Sequence, residues 1–259
     1  MLCLRVLTLC KGIPIAAPSA NSSGRPSPTT AAHVYEDLKG RIPCIVDGGD
    51  AMVGVESTVL DMRSEPAVIL RPGGVTQEQL ARYLPGVRVY GKEGVARDVA
   101  MEAAPPTPGL KYRHYSPTAR VVLIEHSVKD SQAHLIQRIR RCHEEGKRVG
   151  LIGTTGHGKE LPFEMVTFAE GMGEKESESE REKDGEGRRR RVLLYALGEG
   201  EQQDSERFAA AVANGLFKAL RALDGSGVEV IMVEGISEAH AGLAVMNRLR
   251  KAASEIVSE

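Results

Sequence analysis

The chain has 259 residues, with 34 Lys and Arg against 35 Asp and Glu, and a formal charge of -1 at pH 7. That balance excludes nucleic-acid binding by bulk charge, and an aromatic share of 4% without tryptophan excludes broad base-stacking surfaces. An apolar share of 41% is enough to bury a core in one large or two ordinary domains. Cys3, Cys10, Cys44 and Cys142 show neither metal-ligand spacing nor a disulfide framework, so a reducing, cytoplasmic setting is expected.

The opening MLCLRVLTLC followed by IAAPSA mimics a secretory signal, but Arg5 interrupts the apolar run and Lys11 and Gly12 follow it. Leu2, Val6 and Leu9 share one helical face, so the segment reads as the tail of a helix that Gly12 ends. No window approaches the roughly 20 apolar residues of a membrane span. IPIAA then reads as a short buried strand delivering the loop PSANSSGRPSPT, and PTTAAHVYEDLKG as a helix closed by Gly40. IPCIVDGG, STVLDM and AVILRPGG are strand-like, and VTQEQLARYL is a helix with a Thr76/Gln79 capping box.

AAPPTPGLKYRHYSP is a proline-stiffened linker that also carries Lys111, Tyr112, Arg113, His114 and Tyr115 in one run. Beyond it the pattern alternates. ARVVLIE, KRVGLIG, FEMVTF, RVLLYALG and VEVIMVEG are strands. DSQAHLIQRIRRCHEEG, the run from Asp204 to about Leu223, and EAHAGLAVMNRLRKAA are amphipathic helices. Continuous Val/Ile/Leu strands between such helices predict a doubly wound parallel sheet. Residues 171–191 interrupt it with 14 charged residues out of 21, too few apolar groups to offset their ordering, and so a disordered insertion. Its Arg188–Arg191 run has an RNA-binding reading, opposed by the acidic half beside it.

GTTGHGKE nearly spells a phosphate-cradling loop, but Glu160 stands where a hydroxyl would hold the metal and Leu161-Pro162 blocks the helix that should follow. The loop from Pro18 to Thr29 is the better candidate. Ser19 and Ser27 bring hydroxyls, Gly24 allows close approach and Arg25 adds charge, at a strand-to-helix turn whose backbone N–H groups suit an anion. Ser57 and Thr58 add hydroxyls at a strand start, and Arg71 sits at a strand's carboxyl end, where open α/β sheets bind ligands.

PSANSSGRPSPT, GVESTVLD, VILRPGG and PGLKYRHYSP, in that order and spacing, resemble the two-domain threonylcarbamoyl-AMP synthases, and AVMNRLRKAA resembles that family's C-terminal helix. The resemblance implies a partial YrdC-like α/β domain over residues 1–102, a linker over 103–118, and a Rossmann-like domain over 119–259. It implies synthesis of threonylcarbamoyl-AMP and pyrophosphate from L-threonine, bicarbonate (or CO2) and ATP, with Mg2+ travelling on the phosphates. The product would pass to the tRNA threonylcarbamoyl-transfer machinery, with a weak tRNA or double-stranded RNA contact and no membrane. Residue by residue, Ser19, Asn21, Ser27 and Arg71 are expected at ATP, with a linker tyrosine, Tyr112 or Tyr115, closing over it, and Ala17 and Ser57 at threonine. No catalytic nucleophile and no protein metal ligand are assigned. The family's YrdC-like domain begins well before IPIAA, in a part with a phosphate-binding Lys-x-Arg motif. The resemblance therefore implies a truncated, impaired synthase, with a non-catalytic nucleotide- or threonine-binding module and an RNA-binding protein as the alternatives. Ser19, Ser27, Ser57 and Arg71 must converge on one pocket for the reading to stand.

Overall fold

The computed structural model describes residues 7–11, 13–92, 114–154, 166–168, 192–198, 201–202 and 205–258. They form two sheets. In the first, β1 (Val59–Asp61) runs antiparallel to β2 (Val68–Arg71), which pairs in parallel with β3 (Arg88–Val89). The β1–β2 register pairs Val59 with Arg71, so the carboxyl end of β2 lies beside the residues that precede β1. Helix α1 (Ala31–Leu38) is capped by the Thr30 side chain and ends before Gly40, whose φ of 76° suits glycine. Helix α2 (Gln77–Ala81) carries the expected Thr76/Gln79 capping box.

The second sheet contains β4 (Arg120–Ile124), β5 (Val149–Gly153), β6 (Val166–Phe168), β7 (Val192–Ala196), β8 (Val230–Glu234) and β9 (Glu255–Val257). All neighbours are parallel, in the order β6-β7-β5-β8-β4-β9. Period-two alternation divides β4 between two cores. Val122 and Ile124 pack with Leu135 and Ile139 of α3 (Ser131–Glu144). Val121 and Leu123 pack with Leu216 and Leu220 of α4 (Glu206–Gly225) and Leu249 of α5 (Gly242–Ala252). Helices therefore cover both faces, as a doubly wound sheet requires. The first sheet docks on the second unit through α5, because Ile69, Val87 and Val89 cluster with Leu243.

Two expected strands are absent. IPIAA and IPCIVDGG have no ladder partner among the described residues, and Ile13, Ile15 and Val46 are 69%, 46% and 68% exposed. An apolar run becomes a strand only where a neighbour supplies the hydrogen bonds and cover. Strands β3 and β9 were not anticipated. Residues 7–9 are helical, whereas Leu2, Val6 and Gly12 lie outside the described residues, as do the linker up to Arg113 and the insertion at 171–191.

Candidate active site

The loop from Pro18 to Thr29 is shaped by its own polar groups. The Asn21 amide donates to the carbonyls of Ser22 (2.9 Å) and Arg25 (3.2 Å), and Gly24 takes a φ of 87° that favours glycine. Asp37 of α1 anchors the loop from beneath. It accepts from Ser22 N (3.1 Å), from Arg25 (2.9 Å) and from Arg221 of α4 (2.7 Å). Burial opposes ionisation of Asp37, yet the bonds from Arg221 and Ser22 and the charges of Arg221 and Arg25 hold its carboxyl below the usual range. Arg25 is thereby committed to Asp37 and Asp224 rather than free for a ligand.

Helix α4 meets this region along one polar stripe. Asn214 donates to the carbonyls of Ala51 and Met52, Lys218 pairs with Asp50, and Arg221 reaches Asp37 and the Pro26 carbonyl. Gly54, at φ 78°, lies so close to α4 that a Cβ there would sit 2.4 Å from the Asn214 Cα. The segment after Gly54 then runs to Ser57. The Arg71-Pro72-Gly73-Gly74 turn presses on it, and a Cβ on Gly73 would sit 2.3 Å from the Ser57 carbonyl carbon.

Around that contact a chain of polar groups forms. Ser27 Oγ donates to Glu56 Oε1 (2.6 Å), and Arg248 Nε of α5 donates to Glu56 Oε2 (2.8 Å). Arg248 also donates to the Pro72 carbonyl and lies 5.5 Å from the Tyr115 ring centroid. Arg71 Nη2 donates to the Ser57 carbonyl (3.0 Å) and approaches Ser57 Oγ at 3.4 Å, and Arg71 is also hydrogen-bonded to the Tyr115 hydroxyl. Burial pushes the Glu56 carboxyl up, but the Arg248 charge and the bonds from Ser27 and Arg248 bring it below its ordinary value. Burial raises the Tyr115 hydroxyl above its usual value, so it stays protonated at neutral pH, and burial keeps His114 neutral there.

The structure thus links Ser27, Ser57, Arg71 and Tyr115 in one network through Glu56 and Arg248, but Ser19, the fourth residue required to converge with Ser27, Ser57 and Arg71, does not join it among the described residues. Tyr115 is 2% exposed and stacked on Phe217 of α4, so its ring is an anchor and its hydroxyl is the part that faces Arg71. Ala17 and Ser19 are exposed, and Ser19 makes no side-chain hydrogen bond among the described residues. Asn21 turns into its own loop, leaving its Oδ1 buried and without a partner among the described residues. Tyr112, the Arg188–Arg191 run and all of GTTGHGKE beyond Thr154 lie outside the described residues. Sequence reasoning missed Glu56 and Arg248. Arg248 falls four residues from both Ala244 and Ala252, which are buried, so its place on the inner face of α5 was legible from helical spacing.

A cleft of about 320 Å³ between α3 and strands β4, β8 and β9 shares no residue with this network. Its guanidinium groups are already compensated, Arg120 and Arg138 by Glu255, and Arg141 with Lys147 by Glu145. Among the described residues no three His, Cys, Asp or Glu side chains are grouped to hold a metal ion. No described helix is long and apolar enough to cross a membrane.

A family model described as the C-terminal domain of threonylcarbamoyl-AMP synthase matches residues 75–254, and one described as telomere recombination matches residues 2–73. The threonylcarbamoyl-AMP synthase of Pyrococcus abyssi is 40% identical over 243 residues, covering 92% of this chain and 57% of the relative. That of Schizosaccharomyces pombe is 39% identical over 248 residues, covering 94% and 53%. A crystal structure of P. abyssi Sua5 complexed with L-threonine superposes with a TM-score of 0.69 at 36% identity, over 98% of this chain and 63% of that one. The chain spans somewhat more than half the length of these curated relatives. With the four motifs in order, the doubly wound second sheet and a family model over most of its length, the chain belongs to the threonylcarbamoyl-AMP synthase family.

Proposed function

We propose that the chain serves the synthesis of threonylcarbamoyl-AMP from L-threonine, bicarbonate and ATP. The observation that carries the reading is the convergence of Ser27, Ser57, Arg71 and Tyr115, drawn from distant parts of the sequence, around Glu56 and Arg248. In that reaction a carbamate oxygen on the threonine nitrogen attacks the α-phosphorus. A new P–O bond forms, the bond to the β-phosphate breaks, and pyrophosphate leaves. Both partners are anions, so a protein accelerates the step chiefly by alignment and by fixed positive charge, and no side-chain nucleophile is needed.

In this reading Arg71 supplies charge to the nucleotide while its bond to the Ser57 carbonyl sets its direction. The Ser57 hydroxyl and the Ala17 backbone hold threonine, and Ser19, Asn21 and Ser27 serve the nucleotide. The Tyr115 hydroxyl, bonded to Arg71, closes the same side. Mg2+ enters this reading as the companion of the ATP phosphates, and no step is assigned to it. The L-threonine complex of the P. abyssi relative supports threonine as one substrate.

The test is pyrophosphate release by the chain, measured with each substrate omitted in turn. The resemblance implies weak turnover by this chain, and whatever pyrophosphate it releases is expected to require both threonine and bicarbonate and to fall roughly a hundredfold in Arg71→Ala, on the scale of losing one charge-stabilising donor. ATP-dependent pyrophosphate release indifferent to threonine would overturn the assignment.

A further inference from the structure

Arg248 has a position that folding alone does not explain. It is 0% exposed, and its Nη2 is buried without a partner among the described residues. A sealed guanidinium with an unmet donor is costly, and an apolar side chain of similar length would fill the same space at less expense. Its contacts nevertheless fall on both segments of the proposed site. Through Nε it holds Glu56, the residue before Ser57, and through Nη1 it holds the carbonyl of Pro72, the residue after Arg71. The second unit therefore reaches into the first with one side chain from α5.

A second observation concerns Ser27. Its hydroxyl proton is directed at Glu56 Oε1 at 2.6 Å, and the same carboxylate is engaged on its other oxygen by Arg248. A serine hydroxyl has one proton and two lone pairs. With the proton committed, only lone pairs remain for a ligand.

The geometry points to Arg248 as a positioning residue that, through Glu56, turns the Ser27 hydroxyl into a hydrogen-bond acceptor and locks the Ser57 and Arg71 segments at a fixed spacing. The inference rests on the nucleotide reading above and deepens it. A group that meets Ser27 must itself donate, which suits a ribose hydroxyl or the exocyclic amine of adenine and does not suit a phosphate oxygen. The α5 helix thereby becomes part of the nucleotide site although it touches no ligand.

Calorimetric titration of the 259-residue chain with ATP, paired with thermal melts, tests this with three variants. Arg248→Lys keeps the charge and the packing but loses the fork, and Arg248→Met loses both charge and donors. Each is expected to bind ATP roughly tenfold weaker or worse, the scale of one lost hydrogen bond to a charged group. In Glu56→Gln/Arg248→Met the half-buried carboxylate left without its arginine is gone, so the melting temperature returns toward wild type while ATP affinity stays low. A merely structural Arg248 predicts that stability and affinity recover together, and that result overturns the inference. So does an Arg248→Lys chain that binds ATP like wild type. Absence of ATP binding by the wild-type chain removes the nucleotide reading itself and this inference with it, which separates the two failures.

Discussion

Helix α4 makes two ion pairs with the first unit, one to Asp37 of α1 and one to Asp50 in a later loop, that differ mainly in burial. The Asp37 and Arg221 side chains are 0% and 2% exposed, whereas those of Asp50 and Lys218 are 65% and 49% exposed. Asp37→Ala leaves the Arg221 guanidinium sealed with only the Pro26 carbonyl to meet it, frees the Ser22 N–H and leaves Arg25 with Asp224 alone. Removing one partner of a buried pair costs about 3–5 kcal/mol, because the other charge stays desolvated. Lys218→Ala breaks a pair that water already solvates, with an expected cost of about 0–1 kcal/mol. At about 2–4 °C per kcal/mol for a chain of this size, Asp37→Ala lowers the melting temperature by roughly 6–20 °C, and Lys218→Ala by a few degrees at most. Circular dichroism melts at neutral pH and moderate salt read both. Equal shifts in the two variants would refute the reasoning that burial, and not the mere presence of an ion pair, sets the contribution.

Acid should act on the same contacts. Asp37 and Glu56 both have carboxyls held below their ordinary range, in each case against burial and by their arginine partners. A carboxylate with a depressed folded value stabilises fully above its unfolded value and loses that contribution as pH falls through the folded one. Stability is therefore expected to decline below about pH 4, and melts from pH 7 to pH 3 in the wild type and Asp37→Asn should show a shallower decline in the variant. Gly73→Ala places a carbon 2.3 Å from the Ser57 backbone, a clash with atoms that cannot rotate away. An overpacking cost of about 1–3 kcal/mol is expected in urea unfolding, together with weaker threonine binding, because Ser57 must move. Gly225→Ala, where the added carbon meets nothing within 4 Å, serves as the control and should cost nothing.

The second sheet was legible because strands buried on both faces leave a plain mark, as in VVLI and VIMV, and because the helices between them are long. The ends of the sheets were not. β9 is a three-residue edge strand and β3 only two residues long, too short for periodicity to register. IPIAA and IPCIVDGG failed for the opposite reason: they have the composition of strands, but composition does not supply a neighbour. Within the site, the hydroxyls and Arg71 stood out because such residues are costly to explain otherwise. Glu56 did not, since a lone acid passes for an ordinary surface group, and Arg248 was overlooked although its helical spacing from Ala244 and Ala252 marks the inner face of α5. The opening loop showed where sequence reading misassigned a charge. Arg25 looked available to an anion, but Asp37, twelve residues on, claims it.

Helix α4 has one side, with Val212, Leu216 and Leu220, sealed against the large sheet, while Asn214, Lys218 and Arg221 on another side carry the backbone that leads to Ser27 and Glu56. It works as a strut with both ends loaded. A substitution such as Leu216→Ala, made for its effect on the distant sheet, would tilt the strut and alter the reach between Ser27 and its carboxylate without touching either. Tolerance to change on the inner side of α4 is for that reason set by the geometry of the Ser27–Glu56 network as much as by the packing of the sheet.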